Sequence, residues 1–319
     1  MSKNDEPVSA LIPIKNGSKY LAQFKRMLIS NLRIYDEVIA VNDGSTDDTS
    51  EFLEHWASSE SNVKVLHTKG IGLVESLNLG IANSSHKWIA RFDIDDKYED
   101  DRLELQRSLI APDIVAIFSD YEFIDEKDMS YGLLTSPILP SATAVSLVNG
   151  VRTPHPGVLL NREAVISVGA YREIDFPAED LSLWLRLAKV GKVISTPNCL
   201  LRYRIRKGSI SSSRRAFAIQ KRDEVLKEFF VHENDFAFCI ENIKKIFEIY
   251  DKYDRPAQRK LLLIRDLLSA NQFFGNNQRQ KLKIINYGVS LIGNHLYIKE
   301  LIKLNCDKNR RNKLRRSLI

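Results

Sequence analysis

The sequence has few of the features that mark a disulfide-stabilised or membrane-spanning protein. Its three cysteines, Cys199, Cys239 and Cys306, are scattered without C-x-x-C spacing, which predicts neither a disulfide framework nor a thiolate metal site. No apolar run approaches the roughly 18 residues that a membrane span requires, and no apolar signal core follows Met1. We therefore expect a cytoplasmic protein with an ordinary buried core.

An excess of positive charge is also missing from most of the chain. The net charge is +6, and residues 303–319 alone contain seven basic residues against Asp307. The rest of the chain, residues 1–302, has equal numbers of basic and acidic residues, which gives no reason to expect a nucleic acid partner. The basic tail has two interpretations that the sequence leaves open. It can bind anionic lipid headgroups at the inner face of a cell membrane, at about 1 kcal/mol per cation, or it can be a frayed end that increases solubility.

Short β-branched runs alternate with amphipathic segments over the first part of the chain. Strands are predicted at 8–12, 37–41, 63–66, 87–92 and 114–118, and helices near 18–31, 47–58, 73–83 and 100–109. This order predicts an α/β fold, a mostly parallel sheet flanked by helices, because strands joined through helices pair in parallel. The next part is less regular. It is predicted to contain a hairpin at 120–134, helices at 141–149 and 179–190, a strand at 157–160 and a strand pair at 193–196 and 200–205.

The composition changes after a small, polar and basic stretch near 207–215. Beyond it, apolar residues such as Ile240, Ile243 and Phe247 recur at helical spacing, which predicts a C-terminal helical appendage. We therefore divide the chain into three parts. They are an α/β domain at 1–213, a helical appendage at 214–302 and the basic tail at 303–319.

Asp93, Asp95 and Asp96 follow an apolar strand with D-x-D-D spacing. Side chains alternate along a strand, so Asp93 and Asp95 are expected on one face at its carboxyl end, where open α/β sheets bind ligands. Carboxylate oxygens suit Mg²⁺ or Mn²⁺ that carries a diphosphate. A short acidic pattern is by itself more often a solvated turn, so other motifs have to decide.

Asp43 and Asp180 are further candidate site residues. Asp43 ends the second predicted strand at the same edge of the sheet, where Gly44 permits a tight turn and Ser45 or Thr46 can cap the next helix. Asp180 lies in the first turn of a predicted helix. The helix dipole favours a carboxylate there even in a purely structural role, so the residue alone does not establish a site.

Taken in order, these motifs resemble the family 2 glycosyltransferases, which have the GT-A fold. The similarity covers about residues 8–213 and is carried by the segments 8–17, 36–49, 72–81, 89–103, 155–162, 168–172, 178–187 and 203–211. The resemblance implies a metal-dependent, inverting hexosyltransferase that moves a sugar from a nucleotide-diphosphate donor, above all a UDP-sugar, to a saccharide or lipid-linked acceptor. It also implies a role in bacterial surface polysaccharide synthesis, such as that of capsule, O-antigen or lipopolysaccharide.

The same resemblance assigns roles to individual residues. It implies that Asp180 is the catalytic base, that Asp43 accepts a hydrogen bond from the nucleotide base, and that Asp93 holds the ribose or helps to hold the metal. Asp95 is implied to coordinate the divalent cation, Mn²⁺ or Mg²⁺. Pro13, at the end of the first strand, is implied to belong to the donor site.

Two donor-site positions depart from the family pattern. Lys15 stands where an aromatic ring often stacks on the nucleotide base, so a cation or its aliphatic stem replaces the ring. Arg206 stands where a histidine that assists the metal is common. A guanidinium cannot ligate a cation but binds phosphate well, so Arg206 or its neighbour Lys207 is expected to contact the diphosphate.

Three more residues lie close to these motifs in the sequence. Glu179 directly precedes Asp180. His155 stands before a proline in a predicted buried strand, where a histidine is more often a satisfied core side chain than a site residue. Trp184 lies one helical turn beyond Asp180, where it can stack on an acceptor sugar or fill the core, and the core interpretation is favoured.

Two other functions share part of this pattern. Sugar nucleotidylyltransferases have a similar sheet but need a glycine-rich phosphate loop after the first strand, whereas the segment 13–17 has a single glycine. A non-catalytic glycosyltransferase-like protein that binds nucleotide sugar or a partner enzyme also stays open, because Lys15 and Arg206 depart from the family pattern. The joint presence of four aspartates argues against a non-catalytic protein: Asp43, Asp93, Asp95 and Asp180.

Overall fold

The computed structural model describes residues 6–134, 136, 143–144, 147, 153–206 and 215–229. Within them, one β-sheet lies between helices. The strands are β1 (Val8–Ile14), β2 (Glu37–Asp43), β3 (Val63–Thr68), β4 (Trp88–Arg91), β5 (Lys97–Tyr98), β6 (Ile114–Ile124), β7 (Ser130–Leu134), β8 (Leu159–Asn161) and β9 (Lys192–Arg204). The helices are α1 (Ser18–Asn31), α2 (Thr49–Ser59), α3 (Leu73–Asn83), α4 (Arg102–Ser108), α5 (Arg162–Ser167), α6 (Glu179–Val190) and α7 (Arg215–Phe229), with a 3₁₀ helix at Glu173–Asp175.

The sheet has the strand order β3-β2-β1-β4-β8-β6-β9-β5, and β7 pairs with β6 beside this path. The first four strands are parallel and joined through helices, as the sequence predicts, and the α/β fold is confirmed. The antiparallel strand β8 lies between β4 and β6, so the sheet is mixed and the fifth predicted strand does not pair with β4. The pairing of β8 with β4 and β6 joins segments that are far apart in the sequence, so no local sequence pattern predicts it.

The strand pair expected near 193–205 is wrong. The chain there forms the single strand β9, which runs parallel to β6. The register between the two strands shifts beside Asp120, so that Pro197 and Asn198 are accommodated as a bulge. The proline interrupts the apolar pattern of the sequence without ending the strand.

Apolar side chains fill both faces of the sheet. Helix α1 buries Leu21, Phe24 and Leu28, which recur at helical spacing, against one face. Helix α3 packs on the other face, where a Cβ atom on Gly80 would lie 2.1 Å from the Cδ1 of Leu11. This burial fixes the carboxyl ends of β1, β2 and β4 along one edge, and the loops that follow them form the candidate site.

Several sequence predictions fall on other parts of the chain. The helical appendage expected at 214–302 overlaps the described residues only through α7, and the basic tail lies outside them. Most of the helix expected at 141–149 lies outside them as well. Where the structure describes the chain, no helix has the length and apolar character needed to cross a bilayer.

Candidate active site

The three aspartates after β4 lie in a turn and not on an extended strand. Strand β4 ends at Arg91, and the backbone N–H of Asp96 donates to the carbonyl of Asp93 at 3.4 Å. The expected strand alternation is therefore wrong as the reason for their proximity. The turn itself gathers them, since one carboxylate oxygen each from Asp93, Asp95 and Asp96 lies within 4.8 Å of the others. We refer to these three residues as the acidic cluster.

Two guanidinium groups contact the acidic cluster. The Nη1 atom of Arg91 lies 2.5 Å from the Oδ1 of Asp93, and the Nε atom of Arg206 lies 2.6 Å from the Oδ2 of Asp95. The side chain of Arg91 is 2% exposed, whereas that of Arg206 is 41% exposed. One counter-ion of the cluster therefore belongs to the core, and the other borders solvent.

Asp96 is a buried member of the cluster, 6% exposed. Its Oδ1 accepts the backbone N–H of Arg204 at 2.7 Å, and its Oδ2 has no hydrogen-bond partner among the described residues. Burial, and then the charges of Asp93 and Asp95, raise the pKa of Asp96 well above its usual value. Burial and Asp93 also raise the pKa of Asp95. An all-oxygen donor set with an orphaned carboxylate oxygen fits Mg²⁺ or Mn²⁺, whose charge stabilises ionised carboxylates.

Two side chains that the sequence reasoning missed hold this turn. The hydroxyl of Tyr98 accepts the backbone N–H of Asp93 at 2.7 Å. The guanidinium of Arg102 lies 4.1 Å from the ring centroid of Phe92 and 4.8 Å from that of Tyr98. It also donates to the carbonyl of Arg91 at 3.1 Å. Strand β5 and helix α4 therefore support the turn through hydrogen bonds and cation–π contacts.

The carboxylate of Asp43 binds the loop that follows β3. Its Oδ1 accepts hydrogen bonds from the Thr68 hydroxyl and the Ile71 N–H, each at 2.6 Å, and its Oδ2 accepts the Gly72 N–H at 3.1 Å. Burial alone would raise the pKa of Asp43, but these hydrogen bonds and the charge of Lys15 outweigh burial and lower it. In this structure Asp43 therefore fixes a loop at the edge of the site.

The loop after β1 contacts the carboxylate of Asp43 and packs beside the turn of the acidic cluster. The Nζ of Lys15 lies 3.6 Å from the Oδ2 of Asp43, and the lysine side chain is largely exposed. Pro13 is half-buried on β1, next to this loop. A Cβ atom on Gly17 would lie 2.1 Å from the Cδ1 of Ile94, so the loop packs directly against the turn of the acidic cluster.

Asp47 joins the starts of two helices at this edge. Its Oδ1 accepts the backbone N–H of Thr49, the first residue of α2, at 3.1 Å, and its Oδ2 accepts that of Ser18, the first residue of α1, at 3.0 Å. Burial opposes the shift, but these hydrogen bonds lower the pKa of Asp47 to about 2. The predicted cap at Ser45 or Thr46 is wrong, because Asp48 is the N-cap residue and the side chain that accepts a first-turn N–H is that of Asp47.

Glu179 and Asp180 open helix α6. The Oδ1 of Asp180 accepts the Leu181 N–H at 2.6 Å, which is an amide of the first helical turn, so the carboxylate does serve the helix start. Glu179 is buried, and its Oε2 accepts no hydrogen bond from the described residues. Burial and then Asp180 raise the pKa of Glu179 to about 8, and burial raises the pKa of Asp180. Together the two carboxylates are suited to take up a proton near neutral pH.

His155 and Trp184 pack beside this pair. The Nε2 of His155 lies 2.9 Å from the Tyr171 hydroxyl, and its Nδ1 lies 3.7 Å from the Oε1 of Glu179. Burial lowers the pKa of His155 well below its usual value, so the ring is neutral. Trp184 is 1% exposed and meets Phe118 edge to face, with 5.1 Å between ring centroids. Its ring is part of the core and has no face open for stacking on an acceptor sugar.

Arg91 connects the acidic cluster to the pair at the start of α6. Burial raises the pKa of Glu179, of Asp180 and of two members of the cluster, and the charge of Arg91 opposes that rise at each. The sequence reasoning missed Arg91, although a charged residue inside an apolar strand is a signal for a buried ion pair.

Lys207, the other residue expected to contact the diphosphate, lies outside the described residues.

Known proteins match this chain in sequence. The sequence profile of Glycosyl transferase family 2 matches residues 9–167, which include the acidic cluster and the loops after β1 and β2. An uncharacterized glycosyltransferase of Haemophilus influenzae is 26% identical over 225 residues, which cover 64% of this chain and 67% of that protein. Other relatives are longer, and the chain spans only 29% to 34% of three uncharacterized glycosyltransferases from Rickettsia species.

Solved structures match the fold. The structure of Staphylococcus aureus TarS in complex with UDP-GlcNAc aligns with a TM-score of 0.54 at 15% identity, covering 84% of this chain and 73% of that chain. The mannosyltransferase PcManGT from Pyrobaculum calidifontis, in complex with GDP-Man and Mn²⁺, aligns with a TM-score of 0.52 at 16% identity, covering 92% of this chain and 87% of that chain. At these identities the likeness concerns the fold alone. The chain belongs to glycosyl transferase family 2 through residues 9–167, and its α/β domain has the GT-A fold.

Proposed function

We propose that this protein is an inverting glycosyltransferase that moves a sugar from a nucleoside diphosphate donor, such as a UDP-sugar, onto a hydroxyl of a saccharide or lipid-linked acceptor. One observation carries the proposal. The charge of the buried Arg91 acts to lower the pKa of carboxyls in both the acidic cluster and the pair Glu179 and Asp180, and the family 2 match over residues 9–167 includes the cluster. The cluster has the donors for a cation that accompanies a diphosphate, and the pair has the proton affinity of a base.

Asp93 and Asp95 are the residues that would hold the divalent cation, Mn²⁺ or Mg²⁺, with Asp96 beside them. A bound cation supplies positive charge that stabilises the leaving nucleoside diphosphate without proton transfer. The ion pair with Arg91 fixes the carboxylate of Asp93 in place before the donor arrives. Such preorganisation reduces the entropy that donor binding has to overcome.

The remaining donor-site residues would shape and contact the nucleotide. Asp43 orders the loop that would border the nucleotide base, and its carboxylate keeps lone pairs that can accept a hydrogen bond from the base. The Nζ of Lys15 lies 3.6 Å from the Oδ2 of Asp43, so the lysine stem could cover the base, and Pro13 lies two residues before it on β1. Arg206 would bind the diphosphate, because the planar guanidinium matches two phosphate oxygens.

Asp180 would act as the catalytic base. It takes the proton of the acceptor hydroxyl as that oxygen attacks the anomeric carbon from the face opposite the diphosphate. The bond from the acceptor oxygen to the anomeric carbon forms, the bond to the diphosphate oxygen breaks, and its electron pair leaves with the nucleoside diphosphate. A single displacement of this kind inverts the anomeric configuration. The raised pKa of Glu179, about 8, favours the protonated, neutral form of that side chain beside Asp180 at neutral pH.

A role in bacterial surface polysaccharide synthesis agrees with the bacterial origin of the relatives. A lipid-linked acceptor would bring the protein to the inner face of the cell membrane. The basic tail at 303–319 would meet anionic headgroups there.

The test is turnover of a panel of nucleotide sugars with Mn²⁺, measured as release of nucleoside diphosphate in the presence of simple saccharide or lipid-linked acceptors. We expect release from one donor that stops on chelation and resumes when Mn²⁺ is restored, and a product of inverted anomeric configuration by nuclear magnetic resonance. A donor that binds but is not turned over with any acceptor would favour the non-catalytic alternative. A chain that binds no nucleotide sugar at all would contradict the proposal.

A further inference from the structure

Arg206 stands where the acidic cluster meets solvent. Its Nε lies 2.6 Å from the Oδ2 of Asp95, and its guanidinium carbon lies 5.7 Å from the ring centroid of Tyr20 on α1. The Asp95 side chain is 16% exposed, so few sides of the carboxylate are open, and the guanidinium covers one of them. A divalent cation bound at Asp95 would face this guanidinium at close range, where like charges repel.

The two arginines that pair with the cluster differ in how easily they can leave it. Arg91 is buried within β4, and a buried guanidinium without its carboxylate is costly. Arg206 lies two residues beyond Arg204, the last residue of β9, and its side chain is half exposed. The exposed part of its side chain gives this guanidinium a path into solvent that Arg91 lacks, so we expect Arg206 to change its partner more readily than Arg91.

The cluster is also not saturated by its present partners. It contains three carboxylates, and the Oδ2 of Asp96, more than nine-tenths buried, accepts no hydrogen bond from any described residue. The guanidinium of the nearby Arg204 is directed at the carbonyls of Asp95 and Asp125 and at the carboxylate of Asp128. The negative charge of the three carboxylates is therefore not fully compensated, and the cluster can accept a further cation.

We propose that Arg206 is the exchangeable counter-ion of the acidic cluster. It pairs with Asp95 when the cluster holds no divalent cation, and it moves to the diphosphate of the donor when cation and donor bind together. This inference rests on the proposed function, because it places a nucleoside diphosphate at the site. A cation that binds alone has to displace the guanidinium without offering it another anion, whereas a cation that binds with a diphosphate offers one. Mn²⁺ and the nucleotide should then strengthen each other's binding by the same factor.

The test measures Mn²⁺ binding to the full chain by electron paramagnetic resonance of free Mn²⁺, without nucleotide, with UDP and with GDP. Arg206→Met keeps the aliphatic stem and removes the charge. Arg202→Met is the matched control, since Arg202 lies on β9 and pairs with Glu122 at 3.0 Å, outside the cluster. In Arg206→Met we expect Mn²⁺ alone to bind about tenfold tighter than in the wild type, and the strengthening by nucleotide to fall by about tenfold. Arg202→Met should match the wild type in both measurements.

Two results would overturn the inference and leave the proposed function standing. Unchanged Mn²⁺ affinity in Arg206→Met would show that the guanidinium does not compete, and a lower affinity would show that it helps to build the site. Circular dichroism melting curves establish that both variants are folded. A wild-type chain that binds Mn²⁺ but neither UDP, GDP nor any nucleotide sugar would instead remove the proposed function, and the inference with it.

Discussion

Arg91 and Asp93 form an ion pair, with 2.5 Å between Nη1 and Oδ1, across the point where β4 ends and the acidic turn begins. The arginine is inside the core and the aspartate side chain is 30% exposed, so the pair runs from the core to the surface. Arg91, held in β4, therefore fixes the orientation of the Asp93 carboxylate, the first of the cluster. A shorter ammonium side chain with a single charged nitrogen would not reproduce this geometry.

Asp95→Ala should abolish Mn²⁺-dependent donor binding and sugar transfer while the fold survives. Burial raises the pKa of this carboxyl, so ionising it costs folding free energy and its removal should leave the melting temperature unchanged or slightly higher. Calorimetry with donor and Mn²⁺ and melting curves measure the two effects. Glu122→Ala, which removes a carboxylate that pairs with Arg202, is the control and should keep donor binding. Wild-type activity in Asp95→Ala would remove the metal assignment.

Asp180→Asn should keep donor affinity while turnover falls by about 10²-fold or more, the usual scale of a lost general base. The amide still accepts the Leu181 N–H at the helix start but cannot take a proton. Steady-state kinetics and donor calorimetry separate the two effects. Glu163→Gln, in the first turn of α5, is the matched control. If turnover, donor binding and melting temperature all fell together, Asp180 would be a helix-capping residue and not the base.

Glu179→Gln should change how stability depends on pH. The pKa of Glu179 is raised to about 8 in the folded protein, so the folded state binds this proton more tightly than the unfolded state. Stability from this group is therefore present below its unfolded pKa and is lost as pH rises toward 8. Denaturant unfolding measures the free energy of unfolding of both proteins at pH 5 and at pH 8. Between these pH values, the free energy of unfolding of the variant should rise relative to that of the wild type by an amount on the order of 2 kcal/mol. The same difference in unfolding free energy between variant and wild type at both pH values would contradict the raised pKa of Glu179.

Arg107→Met should destabilise the fold by about 3 to 5 kcal/mol, because it leaves the carboxylate of Asp36 buried and without its ion-pair partner. Asp36 also accepts the backbone N–H groups of Val8 and Arg33, which join the start of β1 to the end of α1. Denaturant unfolding measures the loss. The control Lys192→Met breaks an exposed ion pair with Asp113 and should cost less than about 1 kcal/mol. Similar losses in both variants would show that the burial of the Asp36 pair does not matter.

Truncation after Asn305 should release the protein from anionic vesicles while transfer to a soluble acceptor persists. The deleted cations are Lys308, Arg310, Arg311, Lys313, Arg315 and Arg316. Co-sedimentation of the full chain should weaken as salt rises, because exposed charges are screened beyond about 8 Å at physiological ionic strength. Salt-insensitive binding would point to an apolar surface instead. No binding at low salt would leave the tail as a solubilising end.

The first half of the fold could be predicted because its signals are local. Helix α1 spans Ser18–Asn31, and helix α3 spans Leu73–Asn83, both as expected from the periodicity of their apolar residues. The position of β8 between β4 and β6 could not be predicted, since it depends on which distant strands pair. The continuity of β9 through Pro197 depends likewise on the bulge that β6 accepts.

The proximity of the carboxylates in the acidic cluster could be predicted, but for an incomplete reason. Asp93 and Asp95 are close because a turn gathers them, and the turn is held by Tyr98 and Arg102, whose contribution depends on burial that no spacing reveals. The sequence motif contains Asp96 but assigns it no role, because its orphaned carboxylate oxygen is visible only in three dimensions. The roles of the site residues stay predictions.

Gly17 determines how closely two walls of the site approach each other. Its missing side chain lets Ile94, at the centre of the acidic turn, fill the space where a methyl group would be. A residue without a functional group thus sets how closely the loop after β1 packs against the acidic turn. Any other residue at position 17 would force the loop and the acidic turn apart, while every charged side chain of the site stayed unchanged.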